Sequence, residues 1–93
     1  MDQIYKQIVQ FQRRCNDCLD DKSTLSSRSL LNSVQKLEDG AQVGKNPRSV
    51  ENMVKQVISD IEQAGNDNSM SPGHVNELID QGEQLRRDLR KLQ

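Results

Sequence analysis

The chain has 93 residues with 13 basic and 14 acidic side chains, a formal net charge of −1, so it offers no large electrostatic field to nucleic acid or an anionic membrane. Hydrophobic residues make up 32% of it, with Tyr5 and Phe11 as the aromatic residues, which predicts one domain with a thin aliphatic core. No apolar run reaches the roughly 18 residues of a spanning helix, and the start lacks the pattern of a secretion signal. Both observations indicate a cytoplasmic protein that does not enter the membrane.

The first predicted helix covers residues 2–19, and Asp2 can cap its free N–H groups. Its apolar residues follow one another at steps of three and four, a period that keeps one face of a helix apolar. These residues are Ile4, Ile8, Phe11, Cys15 and Cys18.

The second predicted helix covers residues 24–39, begins at a cap formed by Ser23 or Thr24, and ends before Gly40. Its first half is rich in serine, whose hydroxyls compete for backbone hydrogen bonds, so it is the weakest helix former of the four. Its apolar series is Leu30, Val34, Leu37 and Ala41.

The third and fourth predicted helices, residues 47–64 and 72–92, each follow a capping residue with proline, in Asn46-Pro47 and Ser71-Pro72. We expect Gly65 to end the third helix in a left-handed conformation. Gly82 lies on the apolar stripe of the fourth helix, where we expect a neighbouring helix to approach closely or the helix to bend. The alternative is a notch for a partner's side chain or a small ligand. The two apolar series are Val50, Val54, Val57, Ile61 and Ala64, and Val75, Leu78, Gly82, Leu85, Leu89 and Leu92.

Four amphipathic helices with short connections predict an all-α fold, an antiparallel up-down-up-down four-helix bundle in a single domain of residues 1–93. The alternative is a three-helix bundle with a frayed or short second helix. Because a domain this small gains from additional burial, we expect self-association, for example as a homodimer, or a complex with another protein.

The segment Cys15-Asn16-Asp17-Cys18 is a C-x-x-C motif near the end of the first helix. The helix dipole favours the protonated thiol at that end, whereas redox-active pairs lie at helix N-termini. A structural zinc site needs four ligands and would require the cysteine pairs of two subunits. We expect both cysteines to be small buried core residues. A redox or intersubunit metal site at Cys15 and Cys18 is the alternative.

Nothing in the sequence predicts a catalytic site. His74 has Glu77 as a carboxylate neighbour, but no nucleophile is placed near it. The segment Gly40 to Lys45 lacks the preceding strand and the following serine or threonine of a phosphate-binding loop. We therefore predict a non-enzymatic protein with no cofactor and no metal.

Basic residues cluster near the end of the fourth helix, where they complement the helix dipole and can pair with nearby acids. In an up-down-up-down bundle this end lies beside the connection between the second and third helices. This end of the bundle would consist of residues 1–9, 36–54 and 84–93. These residues carry eight basic and five acidic side chains, a net charge of +3. The remaining residues carry five basic and nine acidic side chains, a net charge of −4. The candidate partner-binding residues are Arg86, Arg87, Arg90, Lys91, Lys45 and Arg48.

These observations favour a small helical protein–protein interaction module, such as an adaptor, a chaperone-like protein or a regulator. A charge difference along the long axis suits the orientation of a protein partner. The alternative is a nucleic-acid-binding regulator that uses the basic residues near Arg86–Lys91. Nucleic acid is the weaker candidate because no stacking aromatic residue accompanies the cluster.

Overall fold

The computed structural model describes residues 2–93, which form four helices: α1 (Asp2–Asp17), α2 (Leu25–Gln42), α3 (Pro47–Asn66) and α4 (Pro72–Arg90). Each helix packs against two others, α1 on α2, α2 on α3, α3 on α4 and α4 on α1. Arg14 near the end of α1 contacts Glu77 near the start of α4, so these neighbours are antiparallel. The fold is the predicted all-α four-helix bundle, with extents of 35 × 21 × 18 Å.

The second helix is complete, so the three-helix alternative is wrong. Its start is stabilised by Thr24, whose hydroxyl accepts a hydrogen bond from the backbone N–H of Ser27 at 3.1 Å. Two serines of this helix also donate to residues outside it: Ser27 to the carbonyl of Asp21 in the preceding turn, and Ser33 to Asp60 on α3. These hydrogen bonds offset the weak helix propensity of this segment.

The starts of α3 and α4 agree with the predicted caps. Asn46 Oδ1 accepts from the N–H of Ser49 at 2.9 Å, and Ser71 Oγ lies 3.5 Å from the N–H of His74. Both capping residues have extended backbone, and proline follows each of them in the first turn. Asp2, by contrast, lies inside the first turn of α1 rather than ahead of it.

Helix ends differ from the prediction, because α2 continues through Gly40 and α3 continues through Gly65. A Cβ at Gly40 would lie 2.8 Å from Met53 Sδ, and one at Gly65 would lie 2.8 Å from Val75 Cγ2. These glycines therefore admit a neighbouring helix rather than end their own. The expectation that Gly65 is a left-handed terminator is wrong.

Left-handed backbone occurs just beyond the true helix ends, at Gly44 with φ 80° and at Asn68 with φ 64°. At the other boundaries, α1 stops at Asp17 and α4 at Arg90. Leu92, placed on the apolar stripe by its spacing, lies beyond α4 and is 48% exposed.

The core lies along the bundle axis and contains most of the residues of the four predicted apolar stripes. Gly82 is buried within it, and a Cβ there would lie 2.8 Å from Ile58 Cγ1 and 3.3 Å from Phe11 Cζ. The predicted close approach at Gly82 is thus confirmed. Among residues 2–93, no helix is both long enough and apolar enough to cross a bilayer.

Candidate functional site

The antiparallel bundle brings the start of α1, the end of α2, the start of α3 and the end of α4 to one end of the molecule. We call this the basic end, comprising residues 2–9, 36–54 and 84–93. A surface depression of about 350 Å³ is lined by Asn46, Pro47, Arg48 and Gln93, so the α2–α3 connection adjoins the C-terminal residues. The six candidate basic residues therefore share one end of the bundle, as the topology predicts.

Glu51 on α3 organises part of this end, although the sequence pattern gave no reason to select it. Its side chain is only 8% exposed. Oε2 accepts from Arg90 Nε at 2.8 Å and from Arg86 Nε at 3.4 Å, while Oε1 accepts from Gln93 Nε2 at 2.8 Å. The hydrogen bond from Gln93, followed by those from the two arginines, lowers the pKa of Glu51.

Arg86 and Arg90 differ in how much of each guanidinium remains accessible. The Arg86 side chain is 18% exposed and also bonds Glu83 at 3.1 Å, so its hydrogen-bonding groups are directed to α3 and to its own helix. The Arg90 side chain is 54% exposed while it contacts Glu51. Arg86 therefore serves the α3–α4 contact, and Arg90 can serve both that contact and a partner.

The other four candidates keep their charge at the surface. Arg87 donates to the neutral amide oxygen of Gln84 at 2.8 Å, and Lys91 is 76% exposed with its Nζ 3.9 Å from Asp88. Lys45 and Arg48 are exposed and form no ion pair within residues 2–93. The charge available for binding thus lies mainly on the α2–α3 connection and on the outer side of the last turn of α4.

The opposite end of the bundle holds a polar network that joins the two connections found there. The N–H of Asp20 donates to the carbonyl of Ser69 at 2.8 Å, and the hydroxyls of Thr24 and Ser69 share a hydrogen bond of 2.6 Å. Hydrogen bonds from Ser26 and then Ser69 lower the pKa of Asp67. These groups satisfy one another, so the network ties the α1–α2 turn to the α3–α4 loop.

Both cysteines are free and buried, as expected for core residues. Burial, with a smaller contribution from Cys18, raises the pKa of Cys15 from 9.0 to about 12. A thiol with so high a pKa forms very little of the nucleophilic thiolate at neutral pH. Within residues 2–93, no three His, Cys, Asp or Glu side chains come together in a way that could hold a metal ion.

His74 lies in the first turn of α4, and its ring is 3.1 Å from the hydroxyl of the capping residue Ser71.

No family model matches this sequence, and comparisons with curated proteins and with solved structures give no match either.

Proposed function

We propose that this chain is a small non-enzymatic interaction module that binds an acidic segment of another protein at its basic end. The observation that supports the proposal is the set of exposed cations at this end, where Lys45 and Arg48 form no ion pair within residues 2–93. Acidic side chains are concentrated elsewhere, since residues outside the basic end carry a net −4. A surface of this kind steers and orients an acidic partner.

The net charge of +3 bears on which partner would fit. A symmetric homodimer formed through this end would bring like charges together, and like charges across an interface are unfavourable. Self-association through this end is therefore disfavoured relative to binding of an acidic partner.

Nucleic acid is the second candidate, because phosphate is also an anion. Its support is weaker, since non-specific single-strand binding uses exposed aromatic side chains as stacking platforms. Phe11 is fully buried, and Tyr5 is half-buried in a depression that also includes Asp2, Ala41 and Gln42.

The test is a fluorescence anisotropy titration with a labelled peptide of alternating glutamate and serine at low ionic strength. The double variant Lys45→Glu with Arg48→Glu should bind about 5- to 30-fold more weakly, because it removes two exposed charge contacts worth about 0.5–1 kcal/mol each. The matched control is Lys22→Glu with Arg28→Glu, which makes the same change in net charge away from the basic end. Its affinity should fall much less.

Two results would overturn the proposal. One is an equal loss of affinity in the two double variants, which would mean that only overall charge matters. The other is tighter binding of a labelled single-stranded oligonucleotide than of the peptide under the same conditions, which would favour the nucleic-acid alternative.

A further inference from the structure

A groove lies beside the exposed cations, between the end of α2 and the first turns of α3. We call it the Gly40 groove, and its volume is about 280 Å³. Its lining residues are Lys36, Asp39, Gly40, Val43, Lys45 and Met53.

The interior of the Gly40 groove is apolar and adaptable. Because Gly40 has no side chain, Met53 approaches its backbone closely, with Sδ 2.8 Å and Cε 3.0 Å from the position of a Cβ. Methionine is flexible and polarizable, which suits a surface that adjusts to a bound side chain. Val43 stands at the edge of the groove and is 75% exposed. A valine left this exposed provides apolar area that a bound group could cover.

The rim of the groove carries more positive than negative charge. Lys36 and Lys45 are exposed, and Asp39 already accepts a hydrogen bond from Gln35 at 3.0 Å. An apolar group that enters here would therefore meet a rim that favours carboxylates on either side of it.

The size of the groove also restricts its occupant. At about 280 Å³ it lies at the lower limit of the roughly 300–1,000 Å³ clefts that bind small molecules, and it is open to solvent, whereas such clefts bury most of the ligand. It is large enough for a single apolar side chain.

We propose that the Gly40 groove holds one apolar side chain, of the size of leucine, that is flanked by acidic residues in the partner segment. This inference rests on the proposed binding of an acidic partner. It adds an apolar anchor, through which the protein would select among acidic segments of different sequence. Charge alone would accept many acidic segments, whereas an apolar subsite distinguishes among them.

The test compares two labelled peptides of equal charge, both of alternating glutamate and serine, one with a central leucine and one with serine at that position. The leucine peptide should bind about tenfold more tightly, because partial burial of a leucine side chain contributes about 1.4 kcal/mol. Val43→Ser should reduce this advantage, because it removes apolar area from the edge of the groove. The matched control is Leu25→Ser, since Leu25 is 80% exposed near the opposite end of the bundle.

The outcomes separate this inference from the function on which it rests. Equal binding of the two peptides, with Lys45→Glu and Arg48→Glu still weakening both, would overturn the groove and leave the acidic-partner proposal in place. Loss of the leucine advantage in Leu25→Ser to the same degree would also overturn the groove. Sedimentation of the chain without peptide provides another check: self-association that Val43→Ser abolishes would make the occupant a second copy and would refute the inference.

Discussion

Replacement of Gly82 by alanine tests the close packing of the bundle core. The added methyl would lie 2.8 Å from Cγ1 and 3.0 Å from Cδ1 of Ile58, and 3.3 Å from Cζ of Phe11. Neither neighbour can move aside easily, because isoleucine is restricted at χ1 and the phenylalanine is fully buried. Overpacking of this kind costs about 1–3 kcal/mol, while alanine gains about 1 kcal/mol over glycine in a helix. We expect a net destabilisation of about 1 kcal/mol.

Two other glycines provide matched controls on the same chain. At Gly40 the atoms that an added methyl would meet belong to the end of the flexible, half-exposed Met53 side chain. At Gly73, in the first turn of α4, the methyl meets no atom of the described chain within 4 Å. Alanine should therefore stabilise the protein at both positions, by up to about 1 kcal/mol. The higher helix propensity of alanine is opposed there by only a weak steric clash at Gly40 and by none at Gly73.

Urea unfolding followed by circular dichroism measures all three free energies of unfolding. A Gly82→Ala protein that is as stable as Gly73→Ala would refute the close-packing argument. A double-mutant cycle makes the cause specific: in an Ile58→Ala background the added methyl should fill vacated space, so Gly82→Ala should no longer destabilise. Additive effects of the two substitutions would mean that Ile58 is not the obstacle.

Three further predictions concern the ends of the bundle and the cysteines. Glu51→Gln should lower the free energy of unfolding by about 1–2 kcal/mol at neutral pH. Because hydrogen bonding lowers the folded-state pKa of Glu51 from 4.5, this difference should be lost as the pH falls through that lowered value, and a pH-independent difference in urea unfolding would contradict the assignment. Cys15 and Cys18 should react with a thiol reagent only as the chain unfolds, so rapid labelling of the native protein would disprove their inert core role. Ser69→Ala should lower the free energy of unfolding by about 1–2 kcal/mol in the same assay, because it removes one hydrogen bond from Thr24 and one from Asp67, whereas an unchanged midpoint would show that water replaces the hydroxyl.

Local signals in the sequence predicted most of the fold. The Asn46-Pro47 and Ser71-Pro72 pairs located two helix starts because a capping side chain and proline act within one turn. The apolar spacing identified the four stripes, because the helical period relates residues that are only three or four positions apart in the sequence. The same reasoning failed at Gly65, where the deciding factor is a side chain on another helix.

The candidate site was predicted less completely, and the reason is again one of distance along the chain. The topology placed the six basic residues at one end, but it did not show that Arg86 is used within the protein. That conclusion depends on Glu51, which is 35 residues away from Arg86 and has no unusual neighbours in sequence. The apolar groove likewise depends on how Met53 lies over Gly40.

The helical glycines have a consequence for the geometry of recognition. Met53 over Gly40 and Ile58 over Gly82 are both side chains of α3 that enter a gap in a neighbouring helix. Sliding α4 along α3 would drive Ile58 against a residue that has a Cβ, so this contact fixes the axial register of the α3–α4 pair, whereas the flexible end of Met53 can yield at Gly40.

The basic end is assembled from the end of α2, the start of α3 and the end of α4. The spacing between the α3 and α4 charges therefore depends on the register of that helix pair: a shift of one turn would move Arg90 by about 5.4 Å relative to Arg48. A residue without a side chain, inside the bundle, thus determines the distance between charges that a partner would meet at the surface.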